Sequence, residues 1–198
     1  MTSAETTPDL DAVAHTLAAR FAETAAERDR EGGTAKRERD AIRQSGLLRA
    51  SVPKEYGGSG ANWNNVTQLV RALSSADSSL GHLFGFHHLL VATVRLFGSR
   101  EQWEAAYRET ASGELFWGNA LNPLDPGTRL TRTSSGYLLN GKKSFCSGAL
   151  DSDRLIVSAN DPETNKLLVR HSITEPARAA RNVQTAPYTA ARYFLMVT

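Results

Sequence analysis

The sequence predicts an α+β chain, about five helices followed by a β-rich half. Three observations predict it. Apolar residues recur at helical spacing from Leu10 to Tyr107. That period disappears past Ser112-Gly113. Beyond it come short aromatic, alternating or β-branched runs, separated by Pro, Gly and Asn.

Residues 1–9 read as a disordered leader. Val13, Ala14, Leu17, Phe21 and Ala25 then mark one face of a first helix, with Asp9 as its N-cap and Gly32-Gly33 as its stop. Glu27-Arg-Asp-Arg-Glu31 reads as a solvated face of that helix. A second helix covers Lys36 to Ser45 and ends at Gly46. Val52 to Gly60 is a loop by its proline and its Gly/Ser cluster. Val66, Leu69, Val70 and Leu73 give a third helix, from Asn64 to Ser75, and Asp77-Ser78-Ser79 ends it and caps a fourth. The fourth, Leu80 to Phe97, is apolar on most sides, the pattern of a buried helix. Trp103 and Tyr107 at i and i+4 define a fifth, Glu101 to Thr110.

In the second half Asn140-Gly141 stands between the strand-like runs Tyr137–Leu139 and Lys143–Cys146, which predicts a two-residue hairpin turn there. Arg129–Thr133, Arg154–Ala159 and Lys166–Val169 are further strand candidates. The organisation is a leader (1–9), a helical domain (10–112), a partial β domain (113–170) and an atypical tail (171–198). The tail has no clear period, is rich in Ala and Arg, and ends on the strand-like Phe194-Leu-Met-Val197.

Composition excludes several functions. A formal net charge of +2 over 198 residues, with no Lys/Arg stripe, is too small to argue for nucleic-acid binding. The single cysteine, Cys146, excludes an intramolecular disulfide and a cysteine-based zinc site, and it fits a reducing cytoplasm. No carboxylate is spaced to complete a metal site with the histidines, so no metal is expected. The N-terminus is acidic and polar, unlike a signal peptide. The unbroken apolar runs, such as Leu89–Ala92, are too short to span a bilayer. No Rossmann fingerprint, P-loop or G-x-S-x-G is present.

Three groups of residues can carry chemistry. His82, His87 and His88 sit on the apolar fourth helix, where an imidazole must be hydrogen-bonded or face a cavity. Each is either a satisfied core residue or a pocket residue, and His82 shares a face with Phe86 at i+4. In Trp117-Gly-Asn-Ala120, Asn119 can both donate and accept, or it can simply serve turn chemistry. Phe145-Cys-Ser-Gly148 brings an aromatic and small polar groups to a strand end, which can hold a flat heteroaromatic ligand or form part of a plain surface hairpin.

Four spaced segments go further: Leu47-Leu-Arg-Ala-Ser-Val-Pro-Lys-Glu-Tyr-Gly-Gly58, Ala76-Asp-Ser-Ser-Leu-Gly-His-Leu-Phe-Gly85, Trp117-Gly-Asn-Ala120 and Leu139-Asn-Gly-Lys-Lys-Ser-Phe-Cys-Ser-Gly-Ala149. Together they resemble the acyl-CoA dehydrogenase superfamily. Gly81-His-Leu-Phe-Gly85 and Phe145-Cys-Ser147 resemble most its flavin-dependent monooxygenase branch, whose first helix Glu27 to Gly33 also resembles. The resemblance covers residues 10–160. It implies an N-terminal helical domain, a small β-barrel that is incomplete here, and a C-terminal four-helix bundle absent from this chain. It also implies reduced FMN from a separate flavin reductase, with FAD as the alternative cofactor, and transfer of one oxygen atom from O2 to an organosulfur compound. For full-length members it implies a homo-tetramer. By the same resemblance His82 is the acid/base, Asn119 and Ser147 bond the flavin or its bound oxygen, Phe145 packs on the ring, and Phe86 borders the site.

There are departures from the pattern. Phe86 stands where the branch is expected to have tyrosine, and Leu121-Asn-Pro-Leu-Asp125 lacks the expected polar run. The rival within the superfamily is an acyl-CoA dehydrogenase. Its Thr-Glu-Pro-x-x-Gly-Ser-Asp flavin motif is absent around Asn119, and Thr174-Glu-Pro176 comes too late to replace it. Family members are about twice this length, so the reading expects a truncated product, with a frame-shifted tail from Arg170. The non-enzyme alternative is a remnant or binding module without turnover.

Overall fold

The computed structural model describes residues 9–122, 124–125, 127–133, 136–161, 166–173 and 194–197. Five helices come first: α1 (Leu10–Glu31), α2 (Lys36–Gln44), α3 (Trp63–Ala76), α4 (Ser78–Phe97) and α5 (Arg100–Gly113). The strands follow: β1 (Trp117–Ala120), β2 (Thr128–Thr133), β3 (Gly136–Gly141), β4 (Arg154–Asp161), β5 (Lys166–Ile173) and β6 (Phe194–Val197). The fold is α+β, as the sequence predicts. The chain forms two compact units, one of Met1–Gly85 with Tyr107–Glu114 and one of Phe86–Ala106 with Leu115–Thr198.

In the first unit the helix ends fall where cap chemistry puts them. The Asp9 carboxylate accepts the N–H groups of Asp11 and Ala12, and Gly32, at φ 71, ends α1. Asn62 caps α3 by accepting the Asn65 N–H at 3.0 Å. α1 and α3 pack along each other, burying Ala14, Leu17, Phe21, Val66, Leu69 and Leu73. Asp77 closes α3 with its N–H on the Leu73 carbonyl and starts α4 by accepting the Leu80 N–H. α4 then turns back along α3, so that Gly81 meets Ser74 and Gly85 meets Val70.

Glu27, Asp29, Arg30 and Glu31 are exposed at the charged end of α1, as a solvated face requires, but Arg28 is not. Arg28 donates to Asp77 at 2.7 Å, to Glu38 at 3.3 Å and to the Phe21 carbonyl at 3.1 Å, and it also bonds Thr24. Its side chain is only 15% exposed, because the guanidinium joins α1 to α2 and to the α3–α4 junction. Burial works to raise the Asp77 pKa, but the Arg28 hydrogen bond, the Leu80 N–H and the Arg28 charge outweigh it and hold the carboxyl below its usual value. The sign follows directly: a depressed folded pKa stabilises the fold above the unfolded value, and that stabilisation is lost as pH falls through the folded one. Thermal stability of the wild type should therefore fall in acid, below the ordinary aspartate value of about 3.9. Asp77→Asn keeps the cap and loses the ion pair, so its acid slope should be shallower in melts followed by circular dichroism. Arg28→Met should cost about 2 kcal/mol by leaving both carboxylates without their partner, which urea denaturation measures.

In the second unit β4 is central. β5 lies antiparallel along the whole of it, from Arg154↔Ile173 to Asp161↔Lys166, and β6 continues the sheet beyond β5. The other edge of β4 is shared: β1 runs parallel to its first half, Trp117↔Arg154 to Ala120↔Val157, and β2 meets it at Arg129↔Asn160. β3 completes the order β3-β2-β4-β5-β6. Leu130 and Ala159 are buried with Leu139 against them, and Trp117, Ile156, Val157 and Ser158 are buried as well.

The Asn140-Gly141 hairpin does not form. β3 pairs with the preceding strand, from Thr133↔Gly136 to Thr128↔Gly141, so the connection lies at residues 134–135, outside the described residues. Asn140 is not among the residues with positive φ, which the expected turn type needs at both central positions. Gly141 instead ends β3 beside Gly127, and Lys143–Cys146 is loop. At the ends of the tail, residues 171–173 extend β5, and Phe194–Val197, strand-like by sequence, pairs with β5 as a strand. Thr174-Glu-Pro176 and the rest of 174–193 lie outside the described residues.

α4 is less enclosed than its composition suggests. Leu89, Leu96 and Phe97 are exposed, while Leu80, Phe84, His87, His88, Leu90, Val91 and Val94 are buried. At 20 residues it is long and apolar enough to cross a membrane by length and composition, but half of the apolar window is buried inside the fold, as in the core helix of a globular domain.

Candidate flavin site

Of the residues singled out from the sequence, Phe86, Asn119, Phe145 and Ser147 belong to the second unit and His82 to the first. The structure brings two of them directly together. The Asn119 N–H donates to the Ser147 carbonyl at 2.9 Å, tying β1 to the loop after β3. Asn119 is buried on β1, and its side-chain oxygen accepts the Leu121 N–H at 2.9 Å. The turn chemistry is thus present, and it leaves the carboxamide NH2 as the donating end. Phe145 is at the opposite extreme, 91% exposed, on a backbone with φ 57. A phenylalanine in left-handed geometry with its ring in solvent is uncommon, and such strain concentrates at functional sites. His82 is exposed near the start of α4 and Phe86 is half-buried one turn later.

The loop that carries Phe145 and Ser147 is pinned by a residue sequence reasoning passed over. The Lys143 amine donates to the carbonyls of Asn122 at 2.6 Å and Asp125 at 2.8 Å, and its side chain is only 5% exposed. The Asp125 carboxylate accepts the Gly127 and Ser144 N–H groups and stands 4.0 Å from the amine. Burial pulls the Lys143 pKa down, against the opposing charge of Asp125. The Asp125 carboxyl is held below its usual range, first by the Gly127 N–H. Burial pushes the Cys146 thiol up, so the thiol stays protonated and donates weakly to the Lys143 and Ser144 carbonyls. The loop 121–125 therefore contributes through backbone carbonyls rather than the polar side chains the resemblance leads one to expect. A carbonyl partner leaves no mark in a sequence, which is why Lys143 was not singled out. Among the described residues no group of three His, Cys, Asp or Glu is placed to hold a metal.

His87 and His88 are fully buried, and for His87 the partner is visible: its Nδ1 accepts the Trp117 N–H at 3.2 Å. The ring also stands edge-on to His88 and Phe116, with centroids 4.7 and 5.6 Å apart.

A helical N-terminal domain thus precedes a sheet whose β1 carries Asn119, and the loop after β3 carries Phe145 and Ser147. Residues 5–114 match the model of the acyl-CoA dehydrogenase N-terminal domain, and the chain belongs to that family. It is 52% identical over 159 residues to the protein named "Probable FMNH2-dependent monooxygenase SfnC" of Pseudomonas putida, covering 80% of this chain and 40% of that one. It is 48% identical over 152 residues to a dibenzothiophene monooxygenase of Rhodococcus erythropolis, covering 74% of this chain and 36% of that one. Its fold superposes on methanesulfinate monooxygenase MsuC of Pseudomonas fluorescens with a TM-score of 0.80 and 52% identity, covering 84% of this chain and 43% of that one. The chain thus spans about 40% of the length of the relatives it matches.

Proposed function

We propose that this chain is a reduced-FMN-dependent monooxygenase that oxidises a small organosulfur compound. The observation that carries the reading is the 52% identity to SfnC over 159 residues. The residues present fit a flavin. A flat isoalloxazine needs an aromatic face and a few donors, and Phe145 offers an exposed ring two residues from Ser147, whose carbonyl holds Asn119 in place. In this reading Phe145 lies against the ring, Phe86 borders it, and the Asn119 carboxamide and Ser147 hydroxyl donate to the cofactor. Donors fixed in a water-poor site stabilise developing negative charge without having to reorganise. Bound reduced FMN would supply the two electrons that activate oxygen. His82 is the proposed acid/base, since an imidazole gives and takes a proton near neutral pH. A separate flavin reductase, a homo-tetrameric assembly and a cytoplasmic location belong to the same proposal, and size-exclusion chromatography with light scattering tests the assembly.

The second reading is a module that binds flavin without turnover. Anaerobic titration of the purified chain with reduced FMN, followed by addition of oxygen and a thioether or thiophene in the presence of a reductase, separates the two. Saturable binding with reductase-dependent oxygen transfer is the expected result. Binding without transfer selects the second reading, and an absence of binding overturns both. Phe145→Ala should weaken flavin binding about tenfold if a stacking contact of 1–2 kcal/mol is lost, a magnitude borrowed from aromatic pairs.

A further inference from the structure

Among the described residues β1 pairs with a strand, β4, along one edge. At the other edge its N–H groups at alternate positions are met by different parts of the chain: Trp117 donates to His87 Nδ1 at 3.2 Å, and Asn119 donates to the Ser147 carbonyl at 2.9 Å. A helix side chain and a loop carbonyl thus stand where a neighbouring strand would otherwise pair. Because His87 and Trp117 are both essentially inaccessible to water, no solvent molecule can replace the imidazole as acceptor. A nitrogen that accepts a hydrogen bond carries no proton, so the neutral ring must hold its own proton at Nε2.

We propose that His87 is a positioning residue of this site: as the neutral Nε2–H imidazole it fixes the start of β1, and through β1 it sets where Asn119 and Ser147 stand. His87 touches no reacting group in this account. It acts two residues upstream of Asn119, on a strand of only four residues, Trp117–Ala120, where an anchored amide helps to set the position of the edge facing away from β4. The assignment of Asn119 and Ser147 to a flavin rests on the proposed function, whereas the hold of His87 on β1 does not. The rings of Phe116 and His88 stand edge-on to the imidazole.

The test begins with the unaltered chain. Long-range proton–nitrogen correlation spectra should show His87 Nδ1 as the unprotonated nitrogen, coupled across the hydrogen bond to the Trp117 amide. A protonated Nδ1 would overturn the assignment. Two variants then isolate the acceptor. His87→Asn places a side-chain oxygen close to where Nδ1 stands, and His87→Leu fills the space with no acceptor. Amide exchange at Asn119 should accelerate about tenfold in His87→Leu, the loss of one buried hydrogen bond, and return towards wild type in His87→Asn. Equal protection of Asn119 in all three proteins would show that His87 does not position β1. Reduced-FMN affinity should follow the same order, falling in the leucine variant and recovering in the asparagine variant. If the wild type binds no FMN, the functional reading fails while the amide measurements still decide the role of His87.

Discussion

Gly81→Ala is expected to destabilise the helical unit by about 2 kcal/mol, although alanine is the better helix former. Gly81 lies in the first turn of α4, where the chain has just turned back along α3. A Cβ at this position would come 2.0 Å from Ser74 Oγ and 2.8 Å from both Ser74 Cα and Cβ. The hydroxyl can rotate away, but the Cα is backbone and cannot, so the helices would have to separate. On an open helix surface the same change would stabilise by about 1 kcal/mol, so the sign of the effect reports the close approach. Urea denaturation of Gly81→Ala, Ser74→Gly and the double variant measures it. The double variant should recover part of the loss, a coupling expected of residues in contact. A single variant as stable as the wild type would mean that α3 and α4 do not approach as described.

The same junction shows which parts of the fold a sequence discloses. Asp9, Gly32 and Asp77 act on backbone groups two to four residues away, so their roles follow from local chemistry. Arg28 acts on Asp77, 49 residues further on, and within Glu27–Glu31 nothing separates it from its solvated neighbours. At the proposed site, residue type marks Asn119, Phe145 and Ser147 only as candidates beside turn and hairpin readings, and the resemblance alone gives them roles toward a flavin. Lys143 and His87 were not given their roles, since both act on main-chain groups: Lys143 on the carbonyls of Asn122 and Asp125, His87 on the Trp117 amide. Every residue has a carbonyl and nearly every one an amide, so which of them is chosen is decided only by the fold.

Gly141→Ala is expected to cost about 3 kcal/mol, the sum of a forbidden backbone conformation and a collision with main-chain atoms. Gly141 has φ 127, where only glycine is comfortable, and a Cβ there would lie 1.9 Å from the Gly127 oxygen and 2.9 Å from the Gly127 carbonyl carbon. That oxygen cannot easily yield, because it accepts the Lys142 N–H at 3.0 Å. The end of β3 would separate from β2, and the loop from Lys142 to Gly148, which holds Phe145 and Ser147, would lose its point of departure. Flavin affinity should therefore fall together with stability in this variant, whereas Phe145→Ala should lower affinity alone. Asn140→Ala provides the control. In a two-residue hairpin turn Asn140 would need positive φ, and alanine there would cost about 1 kcal/mol. In the observed fold Asn140 is an exposed residue within β3, and its replacement should stay within about 0.5 kcal/mol of wild type. Denaturation midpoints of the two variants thus distinguish a strand end at Gly141 from a turn, and comparable losses from both would favour the turn.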